Sequence, residues 1–469
     1  MALFTRVLWA AILMQPAFAA QAGVVLTSLY SFPYYGTRPE AGLAAASDGN
    51  FYGTTYAGGS LGFGGVFKIS PNGAFTNVYS FTNGYDGEYP MAAVLQGSDG
   101  ALYGTASSGG GEGGRPGQVY AGTVFKISTN GALTKLYSFT GFITIVETDS
   151  EGGDPKAPLA QGSDGSFYGT TQIGGSRTNS AVDYGTVFKI DTNGTLISLY
   201  SFTNGNDGAY PVAGLVQGAN GNFYGAAQFG GISNAGTVFE ISSNGMLTGL
   251  YSFTNGYDGR YPVAALVQGN DGNFYGTTES GTNGGYGTIF KIRANGTLTS
   301  LYSFTGGNDG ANPEASLLQG SDGNFYGTTS SGGTNGLGTV FEWRTNGALT
   351  SLYSFTGYND GANPKASLVQ AGDGSFYGTT YLGGPNGGGT VFRLMVVPTF
   401  QAVTLANGML SLTWSTEAGK MYQLQSSSDL SSSPWTNLGG AATANGATLS
   451  VTEAITNGAQ RFYRVMLAR

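Results

Sequence analysis

The sequence predicts an all-β chain: a seven-bladed β-propeller closed by its own N-terminal strand, followed by a small β-sandwich. Three observations point there. The tripeptide Tyr-Ser-Phe recurs at Tyr30, Tyr79, Tyr137, Tyr200, Tyr251, Tyr302 and Tyr353, with gaps of 49, 58, 63, 51, 51 and 51 residues. A period near 50 residues marks a propeller blade. Gly supplies 82 of 469 residues while aromatics reach 13%; aromatics at fixed repeat positions indicate packed strands joined by tight turns, not a disordered Gly-rich chain. Finally, every unit holds four strand-like runs separated by Gly, Asn and Asp.

The sixth unit shows the runs in order. Residues 324–329 (NFYGTT) follow the turn Asp322-Gly323, and 338–343 (GTVFEW) follow a Gly-rich loop. Residues 348–355 (ALTSLYSF) follow Asn346-Gly347, and 365–370 (KASLVQ) follow Asp360-Gly361 and Pro364. Asn-Gly and Asp-Gly predict two-residue type I′ hairpins. The Asn-Gly turn recurs at Asn72, Asn130, Asn193, Asn244 and Asn295, and the Asp-Gly turn at Asp48, Asp99, Asp164, Asp271 and Asp373. In the fourth unit Asn220-Gly221 replaces Asp-Gly, so the Asp serves the turn. The LYSF and TVFKI runs are nearly continuous in apolar residues, as in strands covered on both faces.

The unit resembles the kelch repeat. FYGTT followed by a Gly pair matches one kelch strand, GTVFKI the next, and the Tyr-Ser-Phe run stands in for the outermost. The wording is closer to the GloVer tandem-repeat family of exported bacterial proteins, across residues 24–394. That resemblance implies export and a repeat scaffold, and no established activity. Kelch phasing makes the KASLVQ-type strand innermost. Residues 24–32 are then an outermost strand without a blade, and the seventh blade, ending at Leu394, lacks one. Pairing residues 24–32 with 389–394 closes the ring and removes exposed edges.

Phasing also sorts the loops. Both hairpin turns lie on one face; the Gly-pair loops and blade crossings lie on the other. Three insertions, 111–121, 142–153 and 176–184, emerge on that second face. They and their borders carry Glu112, Arg115, Tyr120, Glu147, Asp149, Glu151, Asp154, Arg177, Asp183 and Tyr184. In a chain with 10% charged residues this is a dense polar cluster, suited to a glycan, a peptide or Ca²⁺. The alternative is drifted solvent loops. A second candidate is the crossing motif Asp-Gly-x-x-Pro, with Asp86, Asp207, Asp258, Asp309 and Asp360. A carboxylate ring would hold a metal ion such as Ca²⁺; the competing expectation is an Asx-turn at each Asp with the Gly at positive φ.

Composition excludes much. The chain has no Cys and no His, which removes disulfides, Ser-His-Asp and Cys-His chemistry and imidazole metal sites. Net charge is −8 with no basic run, so nucleic acid is excluded as an expected partner. No organic cofactor is implied. Residues 1–22 read as a secretory signal: Arg6, an apolar run over 7–14, and Ala17-Phe18-Ala19 or Ala20-Gln21-Ala22 at the cleavage site. No later stretch is long and apolar enough for a transmembrane helix. The expected product is secreted or held at the cell surface.

Residues 395–399 form a linker, and 400–469 change character. Short runs at 410–414, 421–425, 435–438, 447–451 and 461–465 resemble a fibronectin type III-like sandwich, with Trp414 and Tyr463 in its core. The functional expectation is a non-catalytic binding or adhesion scaffold for a glycan or surface protein. The alternatives are a carbohydrate-active hydrolase or lyase using Asp, Glu or Tyr of the same face, and a structural surface component.

Overall fold

The computed structural model describes residues 23–33, 37–82, 85–111, 120–140, 151–175, 184–281, 285–398, 400–416, 421–428, 435–446, 448–454 and 461–467. The expected signal segment lies outside these. Among the described residues, no helix is long and apolar enough to cross a membrane. Thr27–Arg393 forms one compact unit; Leu394–Arg469, with the residues before Thr27, forms a second.

The regular structure is β. Among the described residues the repeats build seven four-stranded antiparallel sheets, numbered here 1 to 7 in chain order, a propeller-like arrangement of repeats. Sheet 1 comprises Ala44–Ala45, Phe51–Thr55, Gly65–Ile69 and Phe75–Ser80, hydrogen-bonded in that order. Sheet 7 takes Val369–Gln370, Phe376–Thr380 and Gly387–Val396 from the end of the repeats, and Val24–Pro33 from their start.

Each FYGTT-type strand is buried along its whole length. Its central Gly has a cause: a Cβ on Gly53 would meet Phe67 Cζ at 2.5 Å, and one on Gly327 would meet Phe341 Cζ at 2.5 Å. Gly and Phe sit opposite each other in register, so the ring fills the space a side chain would need. The TVFKI strands are buried too. The LYSF strands differ from expectation and are only half-buried. They form the sheet edge, and only the Phe that follows is fully covered, as with Phe253 and Phe304 at 0%. The strand expected to be innermost is also shorter than the six-residue run suggested: only Val369–Gln370 pairs in sheet 7. Pro364 cannot donate to a ladder.

The turns also differ from the type I′ expectation. In sheet 1 the Gly49 N–H donates to Ala46 O (3.0 Å) and the Ala46 N–H donates to Asn50 O (2.9 Å). Gly49 alone has positive φ, 77°, whereas Asp48 does not. This is a three-residue loop, a type I turn closed by a left-handed Gly. The Asn72-Gly73 hairpin is built the same way. Asp48 then accepts from the Asn50 N–H (3.0 Å) and from the Tyr52 hydroxyl (2.8 Å), locking turn to strand.

Neighbouring sheets touch through a repeated set of contacts. Tyr168 stacks on Phe223 at 3.9 Å and Tyr224 on Phe274 at 3.9 Å. Phe202 meets Phe239 edge-on, as Phe253 meets Phe290, both at 5.3 Å. Thr170 donates to Ala213 O at 3.1 Å. Sheets 7 and 1 make the same set: Tyr377 stacks on Phe51 (4.3 Å), Phe32 meets Phe67 (5.3 Å), and Thr379 donates to Ala41 O (3.0 Å).

In the second unit, Phe400–Ala406, Met409–Ser415 and Thr448–Ala454 form one sheet. Met421–Ser427 pairs with Thr436–Asn437, Ala442–Thr443 and Phe462–Leu467 in another. Their shared core holds Leu410, Leu412, Trp414, Tyr422 and Leu424, with Tyr463 packed against it.

Candidate functional site

The crossing into the two-residue edge strand of each repeat sheet is x-Pro-x-Ala. The residue before Pro adopts left-handed backbone in every sheet, none of them Gly. The φ values are 34° at Arg38, 57° at Tyr89, 55° at Asp154, 53° at Tyr210, 59° at Tyr261, 55° at Asn312 and 53° at Asn363. That conformation costs about 1–2 kcal/mol for an L residue, so the surroundings must impose it. Two backbone bonds do so. The Tyr89 N–H donates to Phe63 O (2.9 Å), a loop of the preceding sheet, and Tyr89 O accepts from the Ser107 N–H (3.2 Å). Asn363 repeats this with Leu337 O (2.8 Å) and the Tyr381 N–H (3.1 Å).

Pro and Ala are constant in this motif. The residues beside Pro are not: Arg38 and Glu40, Tyr89 and Met91, Asp154 and Lys156, Tyr210 and Val212, Tyr261 and Val263, Asn312 and Glu314, Asn363 and Lys365. A rigid, repeated backbone thus presents varied side chains at one place per sheet.

Several of these line a cavity of about 570 Å³, with Arg38, Glu40 and Tyr56 from sheet 1 or its crossing, Tyr89 and Met91 from the next, Asp154 and Lys156 from the third, and Tyr381 from sheet 7. Tyr56 and Tyr89 stack at 5.0 Å, 23° from parallel. Tyr381 lies under two cations, Arg38 at 5.4 Å and Lys365 at 5.1 Å from its ring centre. Lys156 pairs with Asp154 (2.8 Å) and donates to Gln172 (2.5 Å). Lys365 pairs with Glu314 (3.2 Å).

Burial pushes the Glu40 carboxyl above the usual range, against the pull of Lys365 and Arg38. Glu279 is raised by burial and by the neighbouring Glu314 charge. Burial opposes the charge on Lys365, but Glu314 and Glu40 outweigh it and hold the ammonium above the ordinary lysine value. The arrangement offers flat aromatic faces, hydrogen-bonding charges of both signs and a partly desolvated carboxyl, the equipment of a polar-ligand site.

Of the predicted loop cluster, Asp154 lines this cavity. Glu151 accepts from the Tyr137 hydroxyl, taking the place that the crossing Asp holds elsewhere. Tyr184 O accepts from the Tyr210 N–H (2.8 Å), and the two rings meet edge-on at 5.8 Å. Tyr120 begins a strand, its side chain outside the description. Glu112, Arg115, Glu147, Asp149, Arg177 and Asp183 lie outside the described residues.

The five crossing carboxylates, Asp86, Asp207, Asp258, Asp309 and Asp360, are each engaged within their own unit. Asp360 accepts from the Tyr353 hydroxyl (2.9 Å), the Thr356 N–H (2.8 Å) and the Thr356 hydroxyl (2.6 Å). Asp86, Asp207, Asp258 and Asp309 repeat the pattern. Among the described residues no three acidic groups converge as metal ligands. Each carboxylate reaches back along the chain to the Thr four residues earlier, not forward as in an Asx-turn, although the following Gly does take positive φ, 93° at Gly361. Sequence reasoning missed Arg38, Glu40, Tyr56, Tyr89, Lys156, Glu314, Lys365 and Tyr381. The available signal was variation beside an unvarying Pro.

Among solved structures, the chain is similar to a 6-phosphogluconolactonase candidate from Bacteroides uniformis, at 16% identity over 67% of this chain and 83% of that one, TM-score 0.43. It is similar to prolyl oligopeptidase B from Galerina marginata at 10% identity, over 85% and 56% of the two chains, TM-score 0.42. A luciferin-regenerating enzyme matches at 10% identity, over 80% and 95%, TM-score 0.38. Likeness at this level says nothing about chemistry. No curated protein matches. The model of the Gloeobacter/Verrucomicrobia repeat matches residues 17–147, 142–320 and 267–422, and the chain belongs to that repeat family.

Proposed function

We propose that the protein is an exported, non-catalytic binding scaffold that holds a sugar in the cavity beside Tyr56, Tyr89 and Tyr381. In this reading the seven sheets are blades of one closed propeller, kelch-like in phasing, and Val24–Pro33 supplies the outer strand of the seventh. The cavity then opens at the mouth of the axial channel, on the face carrying the insertions. Residues 1–22 act as the export signal and 400–469 as a fibronectin type III-like module. One observation carries the binding assignment: residues from both ends of the repeats line one cavity that pairs stacked aromatic faces with charged hydrogen-bonding groups. Sugars are bound in this way, their C–H faces on aromatic rings and their hydroxyls on charged acceptors. The test is a glycan array followed by calorimetry. Tyr56→Ala with Tyr89→Ala is expected to weaken a native hit by about 2 kcal/mol or more, an aromatic-anchor loss, and an unchanged affinity rejects the cavity.

A second reading, a carbohydrate-active hydrolase or lyase, is favoured by the raised Glu40 carboxyl, because a general acid needs a pKa lifted toward neutrality. Reducing-end release from a polysaccharide panel, abolished by Glu40→Gln, would support it. Sugar binding with no turnover leaves the scaffold reading in place.

A further inference from the structure

Charge pairing in the cavity leaves two groups over. Lys156 is matched by Asp154 and Lys365 by Glu314. Arg38 and Glu40, on either side of Pro39, are not matched. Among the described residues, no ion pair or side-chain hydrogen bond engages the Arg38 guanidinium, which lies over the face of Tyr381. The Glu40 carboxyl likewise feels Lys365, Arg38, Glu314 and Lys156 through space, with no hydrogen-bond donor of its own.

These two groups want complementary things. A guanidinium presents a planar fork that fits a carboxylate with two parallel N–H bonds. Stacking on an aromatic ring orients that fork before a ligand arrives. A half-buried carboxyl lacking donors wants hydroxyl groups. The backbone fixes both positions, since Arg38 is held at φ 34° with its carbonyl bonded to the Tyr56 N–H (3.1 Å). Beside them lies the aromatic face of Tyr56 and Tyr89.

We propose that the cavity takes a uronic-acid residue of an acidic polysaccharide, its carboxylate on Arg38, its hydroxyls on Glu40 and its ring face on the Tyr56–Tyr89 pair. This rests on the sugar-binding assignment above and adds the sign and position of the ligand's charge. A neutral sugar would leave Arg38 without an acceptor. A simple anion would leave Glu40 and the tyrosines unused.

The experiment is calorimetry on the whole chain at neutral pH with trimers of galacturonate, β-1,4-glucuronate and mannuronate, each compared with its methyl ester. Esterification keeps the sugar and removes the charge. At least one acid is expected to bind about tenfold tighter than its ester, the worth of one charge-assisted bidentate contact. Arg38→Gln should erase that preference by lowering the acid's affinity about tenfold more than the ester's, and Arg38→Lys should restore part of it. Thermal melts confirm that each variant is folded. Equal binding of acid and ester, or a preference that survives Arg38→Gln, overturns the uronate assignment while sugar binding stands. Silence toward acids, esters and a neutral-glycan panel overturns both.

Discussion

The rim of each sheet and the cavity beside the crossings obey opposite rules. At the rim one knot is tied again and again: Tyr, Thr and Asp joined as Tyr251, Thr254 and Asp258 are. At the crossings the backbone repeats, but the side chains beside Pro change from sheet to sheet. Repetition at the rim holds the frame; variation at the crossing is tolerated because the left-handed backbone there is fixed by main-chain bonds and not by side-chain identity. The separation teaches that a charged or aromatic residue shared by all repeats serves the fold, and one that differs between repeats is the candidate for recognition.

The sharpest way to break this contrast is at the most constrained frame position. Gly327→Val places a side chain into Phe341 and should cost about 3 kcal/mol or more by overpacking, measured as a fall in the urea midpoint. An unchanged midpoint would mean that the repeated Gly is not a packing requirement. Next comes the knot. Asp360→Ala leaves the Tyr353 hydroxyl and Thr356 without their acceptor, at about 2 kcal/mol. Loss of Ca²⁺-dependent stability in place of this calcium-independent loss would return the aspartates to a metal role.

The knots also predict an alkaline limit. Burial and the facing Asp push Tyr79, Tyr200, Tyr251 and Tyr302 up to about 12. Their folded pKa values lie above the unfolded phenol value, so the folded chain keeps protons that the unfolded chain releases. Stability should hold below pH about 10 and fall between about 10 and 12. Melting temperature against pH, with tyrosinate absorbance as the second probe, checks it; a flat profile across that window counts against the knots.

A smaller effect tests the junction between sheets 7 and 1. In sheets 2, 3, 4, 6 and 7 a Gln of the two-residue strand accepts from the turn of the preceding sheet, as Gln319 does from the Asn270 N–H (2.9 Å) and Gln370 from the Ser321 N–H (2.9 Å). Sheet 1 has Ala45 at that place. Ala45→Gln should add about 0.5–1 kcal/mol, and no gain would show that this junction is spaced differently from the rest. Smallest of all is Glu40→Gln. Its carboxyl is raised by burial, so the native charge disfavours the fold above the carboxylate range. The variant should melt slightly higher than the native chain at neutral pH, and the gap should close as pH falls below the ordinary carboxylate value. A lower melting point at neutral pH would show that Lys365 and Arg38 hold Glu40 more firmly than burial opposes it.

Much of the frame was legible because its causes are local. Repeat length, Gly-marked turns and apolar runs identified the strands and their order in each sheet. Turn type was not legible: Asn72-Gly73 fits either a two-residue or a three-residue loop, and the pairing partner decides between them. Half-burial of the LYSF strands escaped for a related reason, since an apolar run does not tell which side a neighbour covers. The site was legible only through Asp154. Charge density drew attention to the insertions, whereas Arg38, Glu40 and Tyr381 look unremarkable in their own units.

The sequence by itself determined the repeated sheet and the places where it turns, because each follows from neighbours a few positions apart, and the absence of His and Cys forbids the same chemistry in any fold. Only the tertiary structure brought Tyr381 beside Arg38 and set Tyr56 against Tyr89. The first meeting depends on sheets 7 and 1 packing as neighbours, the second on the crossing into sheet 2 packing against sheet 1, and both on non-glycine residues held in left-handed backbone before Pro. Neither is a property of any one repeat.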